Sequence, residues 1–274
     1  MSESKISIIT VCKNAENAIE RTMLSVVSQN CFNENIEYVV VDGASTDKTV
    51  GIIQQYANKY PIKWISKPDS GIYNAMNQGI KLASGDYLLF LNAGDYLVHY
   101  NVIKSLMNLF ESSEFDIMYG DLFCIDPCSE HYLIYSVEDD ILNACFFYQR
   151  YLPHPSTFYK RELFEEFGGF EENFKIIADN VLNKKLVCDH CVSVKHINQI
   201  ISVFLSDGIS STNTKLSLQE KEFFREKYFS KKEINEAEKQ IQKSEIIKCR
   251  DKKKSPLRFL AKILIKLHEC WVNR

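Results

Sequence analysis

Nowhere in the 274 residues is there an apolar run of the roughly 18 residues that a helix needs to cross a bilayer. The first residues, Met1-Ser-Glu-Ser-Lys5 ahead of Ile6-Ser-Ile-Ile-Thr-Val11, lack the long apolar region and small-residue cleavage site of a secretory leader. Tightly framed cysteine pairs are missing too. The nine cysteines are odd in number and scattered, which fits free thiols in a reducing compartment better than a disulfide scaffold. These absences together predict a cytoplasmic protein. Charge of one sign is scarce, at a net −3, so nucleic acid is not an expected partner. Internal repeats and low-complexity linkers are absent as well.

What is present is enough apolar material, 45% of residues, for one large α/β domain with a sizeable core. Lys5 to Val11 and Ile36 to Val41 are β-branched runs that read as strands buried on both faces. Between them Ala15 to Gln29 has helical apolar spacing, with Asn14 placed as its N-cap. The cycle repeats with a turn at Asp42 to Asp47, a helix over Lys48 to Tyr60 and a strand over Ile62 to Ile65. A third helix, Ile72 to Ala83, leads into the strand Tyr87 to Leu91. Strands alternating with helices predict a mostly parallel sheet joined by right-handed crossovers. Beyond Asp95 the pattern predicts a helix over Val102 to Phe110 and strands over Asp116 to Ile125, Tyr132 to Val137, Thr157 to Tyr159 and Ile197 to Leu205. Short helices are predicted over Arg161 to Glu166 and Asp179 to Val187. From Leu216 onward the chain is charged and helical, so we divide it into an α/β domain over 1–212 and a helical, basic extension over 213–274.

Polar residues at the strand ends are the candidates for chemistry, because open α/β sheets bind ligands at the carboxyl ends of their strands. Asp42 follows a strand directly and is succeeded by Gly-Ala-Ser-Thr-Asp47; it suits either a base or ribose contact or an Asx-turn. Asp47 reads more simply as the N-cap of the second helix, and Asp69, before Ser-Gly, as a ligand contact or a turn residue. The run Asp86-Tyr-Leu-Leu-Phe-Leu-Asn-Ala-Gly-Asp95 is a buried strand that delivers an amide, two small residues and a carboxylate to the sheet edge. One carboxylate with a neutral oxygen donor beside it suits a hard divalent ion that takes its other ligands from phosphate and water; it suits equally a strand-ending turn.

Four ordered motifs give these residues a context: Thr10-Val-Cys-Lys-Asn14, Val41-Asp-Gly-Ala-Ser-Thr-Asp47, Lys67-Pro-Asp-Ser-Gly-Ile-Tyr-Asn-Ala-Met-Asn77 and Gly85 to Asp95. With His154-Pro-Ser-Thr-Phe158, Gly168-Gly-Phe170, Ala178-Asp179 and Asp207-Gly-Ile-Ser-Ser211, the chain resembles family 2 glycosyltransferases over about residues 5 to 211, especially the bacterial branch that builds surface polysaccharides (capsule, O-antigen or exopolysaccharide). The resemblance implies a GT-A fold and inverting transfer from a nucleotide-sugar donor, a UDP-sugar foremost, to a saccharide or lipid-linked saccharide acceptor. It places Thr10 and Asn14 in the nucleoside pocket and makes Asp42 the base or ribose contact and Asp69 a second nucleotide contact; His154, in a proline-flanked loop, suits either a contact to donor phosphates or acceptor or a purely structural place. Asn92 to Asp95 stands at the family's metal motif, with Asp95 holding Mn2+ or Mg2+ and Asn92 as donor contact, and Asp179 at its catalytic base. The chain departs from the family in two places. Asn92-Ala-Gly-Asp95 replaces Asp-x-Asp, leaving one carboxylate, and Val181 stands where a second acid often follows the base.

Two rivals remain in view. A nucleotidyltransferase would share the platform, yet Thr10 to Asn14 lacks the Gly-rich, Lys/Arg-bearing phosphate loop it needs; a non-catalytic nucleotide-sugar-binding scaffold would account for the missing acids at positions 92 and 94. Cys188-Asp-His-Cys191, with His196 nearby, looks like a fragment of a zinc knuckle but has no second Cys pair at a suitable distance and reads better as a helix end leading into a strand. The tail is distinctive: residues 248–274 carry nine Lys or Arg against Asp251 and Glu269, a local +7 that leaves −10 on the first 247 residues. Apolar residues at 257, 260, 264, 267 and 271 share one helical face with Arg258, Lys262 and Lys266 on another. Such a helix suits an anionic membrane at the inner face of the cell, or docking on the body or on a second subunit in a homodimer.

Overall fold

The computed structural model of the chain describes residues 4–112, 114–126, 131–137, 142–206 and 213–248. Its first two strands, β1 (Ile6–Cys12) and β2 (Ile36–Asp42), are buried at every position, as β-branched runs covered on both faces should be. They pair in parallel from Ile6 opposite Ile36 to Cys12 opposite Asp42. On either side lie β3 (Ile62–Ser66), parallel to β2, and β4 (Tyr87–Phe90), parallel to β1. The crossovers are α1 (Ile19–Val27), a short α2 (Phe32–Asn35), α3 (Thr49–Ala57) and α4 (Ile72–Leu82). This arrangement brings the carboxyl ends of β1, β2 and β4 to one edge.

Alternate residues of the strands feed two cores. Ile9, Val11, Val39 and Val41 pack with Tyr73, Ala75 and Met76 of α4 on one face, while Ile6, Ile8, Tyr38 and Val40 pack with α1 and Ile53 of α3 on the other. Gly79 lets α4 lie directly on Ile9, since a Cβ there would collide with the isoleucine.

The second half is mixed. After β5 (Tyr96–Leu97) and α5 (Val102–Ser112) come β6 (Ile117–Asp126), β7 (His131–Tyr135), α6 (Ala144–Gln149), β8 (Thr157–Lys160), α7 (Arg161–Phe167), α8 (Ala178–Lys184) and β9 (Val194–Leu205). The sheet order is β3-β2-β1-β4-β8-β6-β9-β5, with β7 on β6. The parallel pattern expected for the sheet holds from β3 to β4; β8 then inserts antiparallel between β4 and β6, and β6 and β9 run parallel again.

Local differences from the expected elements have local causes. The helix read from Ala15 begins only at Ile19. Asn14 does not cap it: it has φ +50° and its Oδ1 accepts the Thr46 N–H at 2.9 Å, stitching the first loop to the second. The N-cap of the second helix is Lys48 rather than Asp47, whose Oδ1 accepts the Thr49 N–H at 3.0 Å from one position further out. After α8 the chain widens into a π-turn over Lys185–Asp189. There the His190 ring lies on Phe167, and His196 Nε2 sits 2.8 Å from Asp121 Oδ1, so the candidate knuckle residues point to different neighbours.

Two helices close the described chain, α9 (Thr214–Tyr228) and α10 (Lys231–Lys248). Phe224 and Phe229 belong to the same core as α4 and α8, and Arg225 donates to the Tyr148 carbonyl, so the helical extension docks on the body. The Asp207 to Ser211 motif and the basic helix read over 257–272 lie outside the described residues. Among those described, no helix is long and apolar enough to cross a membrane.

Candidate active site

At the ends of β1 and β2 several of the candidate polar residues gather around Asp42. This residue is fully buried, and its carboxylate accepts from the Ser45 hydroxyl, from the Ser45 N–H at 3.0 Å and from the Ser66 hydroxyl at 2.6 Å. The Asx-turn reading is therefore realised, and a ligand reaching Asp42 would exchange partners with Ser45 or Ser66. Asp69 lies against Gly43, where any Cβ would strike its carboxylate, and it accepts the Gly71 N–H at 3.0 Å. The Lys13 side chain borders the same glycine. Asp42, Asp69 and Asn14 thus share one rim.

Thr10 does not line that rim. It is fully buried, its hydroxyl donating to the Leu91 carbonyl at 2.7 Å and lying 3.0 Å from the Tyr38 hydroxyl. The cause is strand alternation: Thr10 sits mid-strand with its side chain turned into the sheet's core rather than at the strand end. Its place in the nucleoside pocket is accordingly corrected to a tie between β1, β2 and β4.

The end of β4 runs into Asn92-Ala-Gly-Asp95, a turn that requires Gly94 at φ +111°. Helix α1 holds this turn. Thr22 accepts the Gly94 N–H and donates to the Asp95 carbonyl, and Arg21 reaches the Gly94 carbonyl. Asp95 is 93% buried, and Asn92 Oδ1 is buried with no hydrogen-bond partner among the described residues. No three His, Cys, Asp or Glu side chains converge to cage a metal there or elsewhere in the described residues.

The third group forms where α8 meets β4. Asp179 stands in the first turn of α8, its Oδ1 2.8 Å from the Tyr73 hydroxyl of α4. His154, from the loop before β8, places Nδ1 3.9 Å from Asp179 Oδ2. Its ring stacks on Phe90 of β4 at 5.7 Å and meets Phe170 edge-on. Neither ring nitrogen has a hydrogen-bond partner among the described residues. Burial lowers the His154 pKa, and the nearby Asp179 charge opposes this only partly, so the imidazole is neutral at neutral pH. Burial, then the Asp179 carboxylate, pushes the Tyr73 phenol well above its ordinary value, so it stays a proton donor. The site therefore offers a carboxylate oriented by a phenol beside an unsatisfied neutral imidazole, which is a competent arrangement for accepting a proton.

Residues 7–177 match the family model described as Glycosyl transferase family 2. The chain belongs to this family. The PGL/p-HBAD biosynthesis glycosyltransferase of Mycobacterium bovis is 27% identical over 216 residues, which are 77% of this chain and 81% of that one. Among solved structures, S. aureus TarS 1-349 in complex with UDP-GlcNAc aligns with a TM-score of 0.62 at 19% identity, covering 77% of this chain and 61% of that one. Mannosyltransferase PcManGT from Pyrobaculum calidifontis, in complex with GDP-Man and Mn2+, aligns with a TM-score of 0.57 at 18% identity over 74% of this chain and 57% of that one. The chain thus spans less than two thirds of either solved chain. The GT-A fold expected from the motifs is the fold found, and the protein is a glycosyltransferase.

In this family 2 enzyme the matched region stops two residues short of Asp179, so the role of Asp179 is argued from its surroundings. Tyr73 was legible only as one more buried residue of an amphipathic helix, although its motif, Ser-Gly-Ile-Tyr73, was in view. Arg21 and Thr22, which hold the 92–95 turn, looked like ordinary helix residues. Sequence alone carries no signal that α1 would cross beneath that turn.

Proposed function

We propose that this glycosyltransferase moves a sugar from a nucleotide diphosphate donor, a UDP-sugar, to a saccharide or lipid-linked saccharide acceptor in surface polysaccharide synthesis, with inversion at the anomeric carbon. The observation that carries this reading is the Asp179 carboxylate, held by Tyr73 with His154 Nδ1 3.9 Å away, the His154 ring nitrogens having no hydrogen-bond partner among the described residues. Asp179 takes the proton of the acceptor hydroxyl. The acceptor oxygen bonds to the anomeric carbon as the bond from that carbon to the diphosphate breaks, and the nucleotide diphosphate departs. One displacement inverts the centre and needs no enzyme nucleophile. The solved TarS complex with UDP-GlcNAc supports a UDP donor, and the mycobacterial relative's name supports a glycan-building role.

The oxygen donors at the β4 end fit a hard divalent ion, Mn2+ or Mg2+: one carboxylate, Asp95, with the unsatisfied amide oxygen of Asn92 nearby. When bound, such an ion would offset charge on the departing diphosphate. The Mn2+ in the PcManGT complex supports this. A lipid-linked acceptor would bring the enzyme to the inner membrane face, which the basic stretch 248–274 suits.

The test is Asp179→Asn, assayed for transfer and for nucleotide binding. Transfer should be abolished with binding preserved; turnover retained in that variant would remove Asp179 from the base role.

A further inference from the structure

We propose that Glu220, in the helical extension beyond the family-matched region, is a positioning residue for the transfer step: its carboxylate fixes the backbone of residues 175–177 and so sets where Asp179 stands. The inference rests on Asp179 as the base.

Glu220 lies on α9 and is 92% buried, an unusual place for a carboxylate with no cationic side chain bonded to it in the described structure. Its negative charge is met by three successive backbone donors. Oε1 accepts the Lys175 N–H at 2.6 Å, and Oε2 accepts the Ile176 N–H at 2.9 Å and the Ile177 N–H at 3.3 Å. Hydrogen bonds to an ionised acceptor are about twice as strong as neutral ones, so this short segment is held firmly. Helix α8 starts at Ala178 with no side-chain cap of its own, and Glu220 meets the N–H groups that lead into it.

The other groups of the same segment point into the site. The Ile176 carbonyl accepts from the Tyr73 hydroxyl at 2.6 Å, the same hydroxyl that meets Asp179. Lys175 Nζ donates to the Ser70 carbonyl at 2.9 Å, next to Asp69 on the nucleotide rim. Residues 175–177 therefore join three parts: amides to α9, a carbonyl to Tyr73, and a side chain to the 69–71 turn. With Glu220 removed, this link keeps its inner ties and loses its outer one, and Asp179, two residues further on, gains freedom.

Docking of α9 has separate supports. The Tyr228 hydroxyl donates to Glu171 at 2.5 Å and its ring lies 5.2 Å from Lys185 Nζ, Arg225 donates to the Tyr148 carbonyl at 2.9 Å, and Phe224 and Phe229 are buried in the core shared with α4 and α8. Loss of Glu220 should accordingly loosen the link without undocking the helix.

The experiment compares Glu220→Ala, Glu220→Gln and Tyr228→Phe in the full chain. It measures kcat, affinity for the nucleotide diphosphate of the donor turned over, and Tm. Glu220→Ala should lower kcat by about 10²-fold, the scale of a misplaced catalytic group, with nucleotide affinity unchanged. Glu220→Gln, which keeps an acceptor oxygen, should recover most of that loss. Tyr228→Phe, which removes a docking tie only, should lower Tm and leave kcat intact. Full kcat in folded Glu220→Ala, or a kcat loss in Tyr228→Phe as large as that in Glu220→Ala, overturns the proposal. Failure of the base assignment shows separately, as turnover retained in Asp179→Asn, whatever the Glu220 variants do.

Discussion

The Tyr73 hydroxyl sits between two acceptors, 2.8 Å from Asp179 Oδ1 and 2.6 Å from the Ile176 carbonyl, with a single proton to share. Its ring is fixed independently, packed on Phe170 with centroids 5.5 Å apart. Tyr73→Phe therefore removes the proton while keeping the packing. A hydrogen bond to a charged group is worth about 1.5–3 kcal/mol, so kcat should fall by about ten-fold or more through loss of the carboxylate's orientation. Donor affinity should stay the same, because Tyr73 touches no residue of the Asp42 rim in the described structure. Steady-state kinetics with a parallel donor titration checks both. An unchanged kcat would take Tyr73 out of the site.

How much of this was legible in the sequence depended on whether a residue's role is local. β-branched runs declared β1 and β2 and a short apolar run declared β4, and Asp42 and Asp95, which end or follow them, lie at one edge because strand ends are fixed by chain order. Thr10 was misplaced because one residue of alternation decides between rim and core, and its motif extends into the strand. Tyr73 is legible only as a motif residue on an apolar helix face, and Glu220 only as part of a charged helix. Each acts across more than 40 positions of sequence, on Asp179 or on Lys175, and no periodicity encodes such a meeting. The insertion of β8 between β4 and β6 is a further long-range choice, and it is what sets His154 on Phe90.

His154 makes stability depend on pH in a defined direction. Burial lowers its folded-state pKa below the ordinary 6.5, with Asp179 opposing the shift in part. Above pH 6.5 the ring is neutral in both states and contributes no slope. Below it the unfolded chain takes the proton first, so stability falls as pH drops from 6.5 toward the folded-state pKa and then levels off. His154→Phe, which can occupy the same slot between Phe90 and Phe170, should lose less stability than wild type between pH 7.5 and about 5.5. Urea melts of both proteins at the two pH values isolate this residue, since every other titrating group is common to them. Parallel losses in the two proteins would rule the effect out.

Asp95 is the one acid in the turn that follows β4, and that turn is held rigidly by Thr22 and Arg21 of α1. A pre-formed turn with one carboxylate gives weak intrinsic metal affinity, because affinity for a hard cation rises with the number of charged oxygens around it. On the proposed metal role the donor diphosphate would supply much of the coordination, and metal and donor should bind cooperatively. Asp95→Asn should lower transfer on the order of 10²-fold at fixed Mn2+, reflecting lost charge stabilisation of several kcal/mol. The opposite change is more telling. Asn92→Asp places a second carboxylate where a buried amide oxygen now lacks a partner among the described residues, and should lower the Mn2+ concentration for half-maximal rate. Titrating Mn2+ and Mg2+ into EDTA-treated wild type and both variants, at saturating donor, reads the two shifts in opposite directions. Full activity of Asp95→Asn together with EDTA-insensitive wild type would instead place the diphosphate against cationic side chains, with Lys13 beside Gly43 as the first to replace.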